Sequence, residues 1–266
     1  MNREASPFRA GLYEGRVALI TGGGTGIGLA VARELTSLGA RVALCGRRPE
    51  PIAEAVAALT AEGHEAMGAS VDIRSPESVE AFVAAVLARF GRIDLLVNNA
   101  GGQFPSPAQL ISSKGFEAVV RNNLLGTFNV LRAVANAAMI PQKGGRIVNV
   151  IANVARGFPG MAHTGAARAG VDNLTKSLAV EWASFGIQVN AVAPGTIRST
   201  GIEQYPPELV AKAEKVTPAG RLGSTSEVAH VVAFLGSDAA DYITGTTLYI
   251  DGGASLWGDI WEVDRG

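Results

Sequence analysis

A chain of 266 residues with 23 basic and 24 acidic side chains carries a formal net charge of −1 and no Lys/Arg run, which excludes the footprint of a nucleic-acid or anionic-membrane binder. Cys45 is the only cysteine and closes no internal disulfide; with His64, His163 and His230 scattered and read as surface or loop residues, no metal site is expected. The segment Met1–Glu14 has charges of both signs and no apolar centre, so it does not read as a secretory signal, and no apolar run approaches the ~20 residues of a membrane span; the expected compartment is the cytoplasm.

Short apolar or β-branched runs then alternate with Ala-rich helical stretches. A strand over Arg16–Ile20 leads through a glycine cluster into a helix over Gly26–Leu38. Strand Arg41–Leu44 precedes helix Pro49–Ala61, and strand Glu65–Val71 precedes helix Pro76–Phe90, with Ser75 as its cap. Strand Ile93–Val97 is followed by a long helix over Lys114–Met139, capped by Ser113. Strand Arg146–Val150, helix Ala162–Phe185, strand Gln188–Ala193, helix Ser226–Gly236 and strand Thr247–Ile250 complete the series, leaving a tail over Asp251–Gly266. Strand–helix alternation means βαβ units. Strands apolar on both faces mean a parallel sheet covered by helices on both sides. The expected fold is α/β: one doubly wound domain over 1–266, with a seven-stranded parallel sheet flanked by helices and no linker.

The glycine cluster is Thr21-Gly22-Gly23-Gly24-Thr25-Gly26-Ile27-Gly28, between the first strand and the first helix. Glycines permit positive φ and let a backbone approach a pyrophosphate; the helix N-terminus adds free N–H groups and a favourable dipole. Strand, glycines and helix in that order are the context a Rossmann-type dinucleotide site requires. An NAD site commonly ends its second strand in an acid that holds the ribose 2′-OH. This chain has Cys45-Gly46-Arg47-Arg48 there, with no carboxylate and two guanidinium groups suited to a 2′-phosphate. The expected cofactor is NADP(H).

The spacing Gly22-x3-Gly26-x-Gly28 resembles the short-chain dehydrogenase/reductase family, and further matches follow in order. They are Asn98-Asn99-Ala100-Gly101, Asn123-Leu124-Leu125-Gly126, Pro194-Gly195-Thr196 and Asp251-Gly252-Gly253, so that the resemblance runs from Leu12 to Asp251. It implies cofactor contacts from Gly22, Gly24, Thr25, Gly26, Ile27, Gly28, Arg47 and Arg48 at the phosphate end. Asp72 and Ile73 are implied around the adenine, with Asn98, Ala100, Gly101, Asn123, Arg168, Pro194, Gly195, Thr196 and Ile197 completing the site. It also implies a homotetramer, in keeping with long helices too rich in Ala, Val and Leu for one sheet face to bury.

The resemblance breaks at the reaction site. The family carries Tyr-x3-Lys on the helix after the fifth strand, a spacing that sets both side chains on one face. It also has a serine just before that helix. The stretch Ala166-Ala167-Arg168-Ala169-Gly170-Val171 fixes the register, with Thr164 at the tyrosine position and Arg168 at the lysine position. Neither Ile151 nor Ala152 offers the serine's hydroxyl; Asn123 alone matches, as the asparagine that anchors a proton relay. The pattern is similar to the branch of peroxisomal trans-2-enoyl-CoA and 2,4-dienoyl-CoA reductases. Gly101-Gly102-Gln103-Phe104, Ile111-Ser112-Ser113-Lys114-Gly115 and His163-Thr164-Gly165-Ala166-Ala167-Arg168 carry the likeness. Mitochondrial dienoyl-CoA reductases have a tyrosine after the fifth strand, where this chain has Asn153. The enoyl-CoA reductase has an aromatic where this chain has Asp172, which is one turn beyond Arg168 and either pairs with it or forms a subunit contact.

The expected reaction is therefore NADPH-dependent reduction of the 2-enoyl double bond of an acyl-CoA thioester. Hydride addition there gives a delocalised enolate, which needs hydrogen-bond donors more than an acid. Carbonyl reduction makes an alkoxide, and losing its general acid typically costs roughly 10²–10⁴ in rate. Two other readings stay open: a carbonyl or alcohol oxidoreductase on a hydrophobic or terpenoid substrate, and a catalytically weak NADP(H)-binding protein. Arg168 is expected to hold the cofactor ribose and lend charge to the enolate, with Thr164, Asn153 and Asn123 as donors. Phe104, Phe158 and Met161 are candidates for an acyl-chain wall, and Tyr205 for a substrate contact from a lid over Arg198–Lys215. Trp257 and Trp261 in the tail either cover the site or dock on a neighbour.

Overall fold

Strands β1 (Val17–Thr21), β2 (Arg41–Gly46), β3 (Ala66–Ser70), β4 (Leu95–Asn98), β5 (Gly145–Val150) and β6 (Ile187–Pro194) join the last strand, β9 (Thr247–Ile250), in one parallel sheet of order β3-β2-β1-β4-β5-β6-β9. Between β6 and β9, β7 (Ile197–Arg198) and β8 (Gly223–Ser224) pair as a separate two-stranded ribbon. The computed structural model describes residues 6–200, 202 and 206–256. The connection from β3 to β4 crosses to the far side of β1. The loops leaving β1 and β4 therefore diverge, which opens a crevice at the carboxyl ends of those two strands.

Side-chain alternation along each strand supplies both faces of the sheet. Ala18, Ile20, Val42 and Leu44 pack with Val31 and Leu35 of α1 (Gly26–Ser37), Ile52 and Leu59 of α2 (Pro49–Ala61) and Val228 and Val232 of the last helix, α7 (Thr225–Leu235). Val17, Leu19, Ala43 and Cys45 pack on the other face with Val79, Phe82 and Val86 of α3 (Pro76–Phe90) and Val130, Leu131 and Val134 of the long helix α4 (Ser113–Gln142). Helices α5 (Ala162–Glu181) and α6 (Pro207–Val216) complete the set. Each fully buried Leu, Ile or Val contributes roughly 1.5–3 kcal/mol by leaving water, so the two apolar layers dominate the stability.

Local chemistry sets the helix starts. Ser75 caps α3 as expected, accepting from the Ser78 N–H at 3.2 Å. Ser112 rather than Ser113 caps α4, accepting from the Gly115 N–H at 3.1 Å, so the helix begins one residue earlier than its expected start. Helix α7 begins in a reciprocal capping box between Ser224 and Glu227. Hydrogen bonds from Arg221 hold the Glu227 carboxyl down at about 2.

Helix α4 differs from the expected regular helix in two ways. It contains two π-helical turns, Arg121–Leu125 and Ala135–Met139. It is also long and apolar enough, at 30 residues, to meet the length and composition of a membrane span, contrary to the sequence reading; half of its most apolar stretch is buried within the fold. Phe116, Leu125 and Phe128 of this helix remain exposed, as does Val180 of α5.

Candidate active site

The crevice is a cleft of about 570 Å³. Of the residues expected to hold a cofactor, Gly22, Gly24, Thr25, Gly26, Ile27, Arg47, Arg48, Ile73, Ala100 and Gly101 line it. Glycine is required where backbone meets backbone. Gly22 sits at φ 65°, and a Cβ on it would lie 2.8 Å from Asn99 Nδ2; one on Gly28 would lie 2.2 Å from the Gly22 carbonyl oxygen. Gly28 thus serves close packing of α1 against the loop. Thr25 is the N-cap of α1 but its side chain makes no capping bond, and the first turn holds no acid. The N–H groups at the cleft are left for an anion.

The loops after β1 and β4 are tied together by Thr21 and Asn99. Thr21 Oγ1 accepts from the backbone N–H groups of Asn99 (3.0 Å) and Ala100 (2.9 Å). Asn99 Nδ2 donates to the carbonyls of Thr21 and Gly22, both at 3.1 Å. Beneath them Asn98 donates to Asn149 at 3.0 Å, and Asn149 donates to Thr175 Oγ1 at 3.0 Å. Asn98 is buried within the sheet rather than on the cleft wall. Asp72 also stands apart: its carboxylate is gripped by Arg74, with 2.5 Å from Nη2, which holds its pKa below the ordinary value. Arg47 and Arg48 lie exposed at the rim with no salt bridge to a carboxylate among the described residues.

At the inner end three residues converge. Arg168 Nη1 donates to the Val150 carbonyl at 2.9 Å, and its Nη2 lies against Gly101, where a Cβ would come within 2.2 Å. Burial of the guanidinium pushes its pKa down to about 10. Asn123 lies in the first π turn of α4 and is fully buried; its amide donates to the carbonyls of Gly102 (2.7 Å) and Val119 (3.0 Å), while Oδ1 accepts from the Gly102 N–H at 3.3 Å. Both amide hydrogens are committed, so Asn123 clamps the Gly101–Gly102 backbone instead of offering a donor to substrate.

The remaining expected residues divide. Thr164 is fully buried in the first turn of α5, its Oγ1 3.4 Å from His163 Nδ1. Asn153 Nδ2 donates to Asp251 Oδ2 at 2.8 Å, and Asp251 also accepts from the backbone of Gly253 and Ser255. Asn153 thus secures the end of β9. Pro194 and Gly195 pack beside β9, with the Gly195 N–H donating to Ile250, and Ile197 is buried in β7. Thr196 opens on a second cavity of about 230 Å³ shared with Arg221, Glu227 and Asp251, not on the large cleft. Asp172 does not pair with Arg168: it accepts from Lys176 and from Thr247, both at 2.5 Å. Phe104 is 41% exposed and meets the His163 ring. Phe158 packs over Gly165, and Met161 carries the carbonyl that accepts from the Thr164 and Gly165 N–H groups. In the lid segment Arg198 pairs with Glu214 at 2.5 Å. Tyr205, Trp257 and Trp261 lie outside the described residues.

Several cleft residues escaped sequence reasoning. Asn99 stood inside a recognised motif without an assigned role; Asn122, Ser199 and Thr200 had no motif to mark them. His163 is the larger correction, being neither loop nor surface but 0% exposed inside α5. Its place next to Thr164 was the available signal. His230, likewise expected at the surface, sits within α7 3.8 Å from Glu34.

A family described as enoyl-(acyl carrier protein) reductase matches residues 22–255. The chain is 38% identical to a peroxisomal 2,4-dienoyl-CoA reductase of Danio rerio, over 96% of this chain and 87% of that protein. The chain belongs to the short-chain dehydrogenase/reductase family. Among solved members, a citronellol catabolism dehydrogenase, AtuB, of Pseudomonas aeruginosa PAO1 is 45% identical with TM-score 0.86, covering 94% of this chain and 99% of that one. A gluconate 5-dehydrogenase of Burkholderia cenocepacia, solved with NADP and tartrate, is 37% identical with TM-score 0.87, covering 92% and 97%. As a short-chain dehydrogenase/reductase the chain is an oxidoreductase, and its bare-backbone cleft is a site for a nicotinamide cofactor.

Proposed function

We propose that this oxidoreductase uses NADPH to reduce the 2-enoyl double bond of an acyl-CoA thioester. The observation that carries the reading lies on α5: where the family's motif holds an ionisable tyrosine, this chain has the fully buried Thr164, four residues before Arg168, whose guanidinium lies against Gly101 of the cleft. A threonine hydroxyl, here 3.4 Å from His163 Nδ1, donates or accepts a hydrogen bond but does not serve as an acid at ordinary pH. Such a site suits an enolate, which needs a nearby positive charge and donors, better than an alkoxide.

The chain's residues fit the cofactor. Gly22, Gly24 and Gly26 leave backbone room for a pyrophosphate at the start of α1, and Arg47 and Arg48 supply planar donors for a 2′-phosphate. Bound NADPH supplies the hydride. Arg168 orients the ribose side of the cofactor and stabilises the developing enolate charge; Asn123 fixes the Gly101–Gly102 backbone against which both lie. Water delivers the α-carbon proton. Exposed Phe116, Leu125, Phe128 and Val180 support assembly as a homotetramer, and the cytoplasm is the proposed compartment.

The 45% identity to a citronellol catabolism dehydrogenase favours a second reading, a terpenoid alcohol or aldehyde as substrate. NADPH oxidation measured with crotonyl-CoA and longer enoyl-CoAs, against a panel of terpenoid and simple aldehydes and ketones, separates the two. Turnover on the thioesters alone is expected; turnover on carbonyls alone would select the second reading, and tight NADPH binding with no turnover a binding protein.

A further inference from the structure

His163 stands in the first turn of α5, 0% exposed, immediately before Thr164. Its Nδ1 accepts from the Thr164 N–H at 2.9 Å, a hydrogen shared with the Met161 carbonyl, and Thr164 Oγ1 lies 3.4 Å away. A ring nitrogen that accepts a backbone N–H carries no hydrogen itself. The neutral imidazole is therefore the tautomer with its proton on Nε2. That Nε2–H has no hydrogen-bond partner among the described residues. Leaving a buried donor unmet costs about 1–3 kcal/mol, and a native structure that keeps one needs a reason.

The neighbour of the ring is Phe104, edge to face at 4.5 Å between centroids. Phe104 is itself 41% exposed and follows Gly101 and Gly102, the backbone held by Arg168 and Asn123. The Ser106 N–H donates to Gly160 at 2.7 Å, joining this loop to the segment that enters α5. His163 thus lies behind one partly exposed aromatic side chain, carried on the loop that continues from Gly101 of the cleft wall.

Resting on the proposed thioester reduction, we infer that His163 is a substrate-contacting donor whose Nε2–H donates to the thioester carbonyl oxygen once the acyl group displaces Phe104. Hydride from NADPH adds to the β-carbon, the C=C pair moves between the α- and carbonyl carbons, and the carbonyl pair moves onto oxygen. His163 holds that oxygen without giving up its proton. The pair then returns as the α-carbon takes a proton from water. A neutral imidazole N–H in this role polarises a carbonyl without passing through an imidazolate or an imidazolium.

The test compares wild type with His163→Phe, which keeps the ring and removes the donor, and His163→Gln, which restores an N–H near the Nε2 position. Three quantities are read: kcat and KM on enoyl-CoA, Kd for NADPH, and the red shift of the 2,4-hexadienoyl-CoA absorbance on binding to the protein with NADP⁺, which reports carbonyl polarisation without turnover. His163→Phe should lower kcat about 10²-fold and abolish the red shift, with NADPH Kd and Tm unchanged. His163→Gln should recover part of both signals. If His163→Phe melts early, His163→Gln carries the test: it must retain a measurable red shift. Wild-type kcat and an undiminished shift in His163→Phe would overturn the role, whereas a wild type that reduces no enoyl-CoA would defeat the thioester reading itself.

Discussion

Gly101 leaves the space that Arg168 occupies: a methyl group on Gly101 would lie 2.2 Å from Arg168 Nη2 and 2.6 Å from Asn123 Oδ1. The guanidinium, the asparagine clamp and the loop after β4 are one packed unit. Gly101→Ala must displace the guanidinium, the amide or the loop. The expected result is a fall in kcat of at least tenfold and weaker NADPH binding, with an unchanged far-ultraviolet circular dichroism spectrum. Wild-type kinetics in Gly101→Ala would show that Arg168 has no set position to lose.

On the proposed reading, Arg47 and Arg48 decide between the two nicotinamide cofactors. Charge-assisted hydrogen bonds are worth roughly 1.5–3 kcal/mol, so Arg47→Ala should raise the NADPH Kd by about 10–100-fold and leave the NADH Kd near its starting value. Isothermal titration with both nucleotides checks this. Equal losses for the two would place the arginine on the shared part of the cofactor.

The pH profile follows from which group ionises. Burial disfavours the charged guanidinium of Arg168 and brings its pKa down to about 10. The cation is therefore present at neutral pH and lost as pH rises through that value. Turnover should lack a basic limb between about pH 7 and 9, where a tyrosine–lysine pair would show one, and fall near pH 10. A descending limb centred near pH 8 would reveal an acid other than Arg168.

Thr164 and Arg168 should fail differently. Thr164→Val removes one hydroxyl, worth about 0.5–1.5 kcal/mol, and should lower kcat only several-fold. Arg168→Ala should weaken NADPH binding and turnover together. Loss of activity in Thr164→Val with an intact Arg168→Ala enzyme would reverse the division of labour.

Much of this was readable in the chain because the signals are local. Alternation along Val17–Thr21 and Arg41–Gly46 determines which side chains face which helix layer, and the glycine cluster must fall between a strand and a helix to work. Thr164 and Arg168 were located by aligning this helix with the family's Tyr-x3-Lys motif, whose register the stretch from Ala166 onward fixes. What escaped depends on long-range packing. Asn123 looked like a free donor because nothing local foretells the π turn that points its amide at Gly102 and Val119. His163 looked like a surface histidine because its burial is completed by Phe104, which approaches from a distant loop. Thr196 lies in the recognised motif, yet Ser199 and Thr200, three and four residues on, reach the cleft.

Exposed Phe116, Leu125 and Phe128 on α4 call for a partner surface. Light scattering at micromolar concentration should give the mass of a tetramer, and Phe128→Asp should shift it to smaller species. A monomeric wild type would leave that apolar face unexplained.

The most direct measurement follows the atoms. Reduction of an enoyl-CoA with NADPH carrying deuterium at the transferred position, in ordinary water, should give a saturated acyl-CoA with deuterium only on the β-carbon. The same reaction with unlabelled NADPH in D₂O should put one deuteron on the α-carbon. No deuterium transfer to the enoyl-CoA, with deuterium from the cofactor instead found on the carbinol carbon of an alcohol when an aldehyde or ketone is supplied beside it, would contradict the proposed chemistry at its first bond.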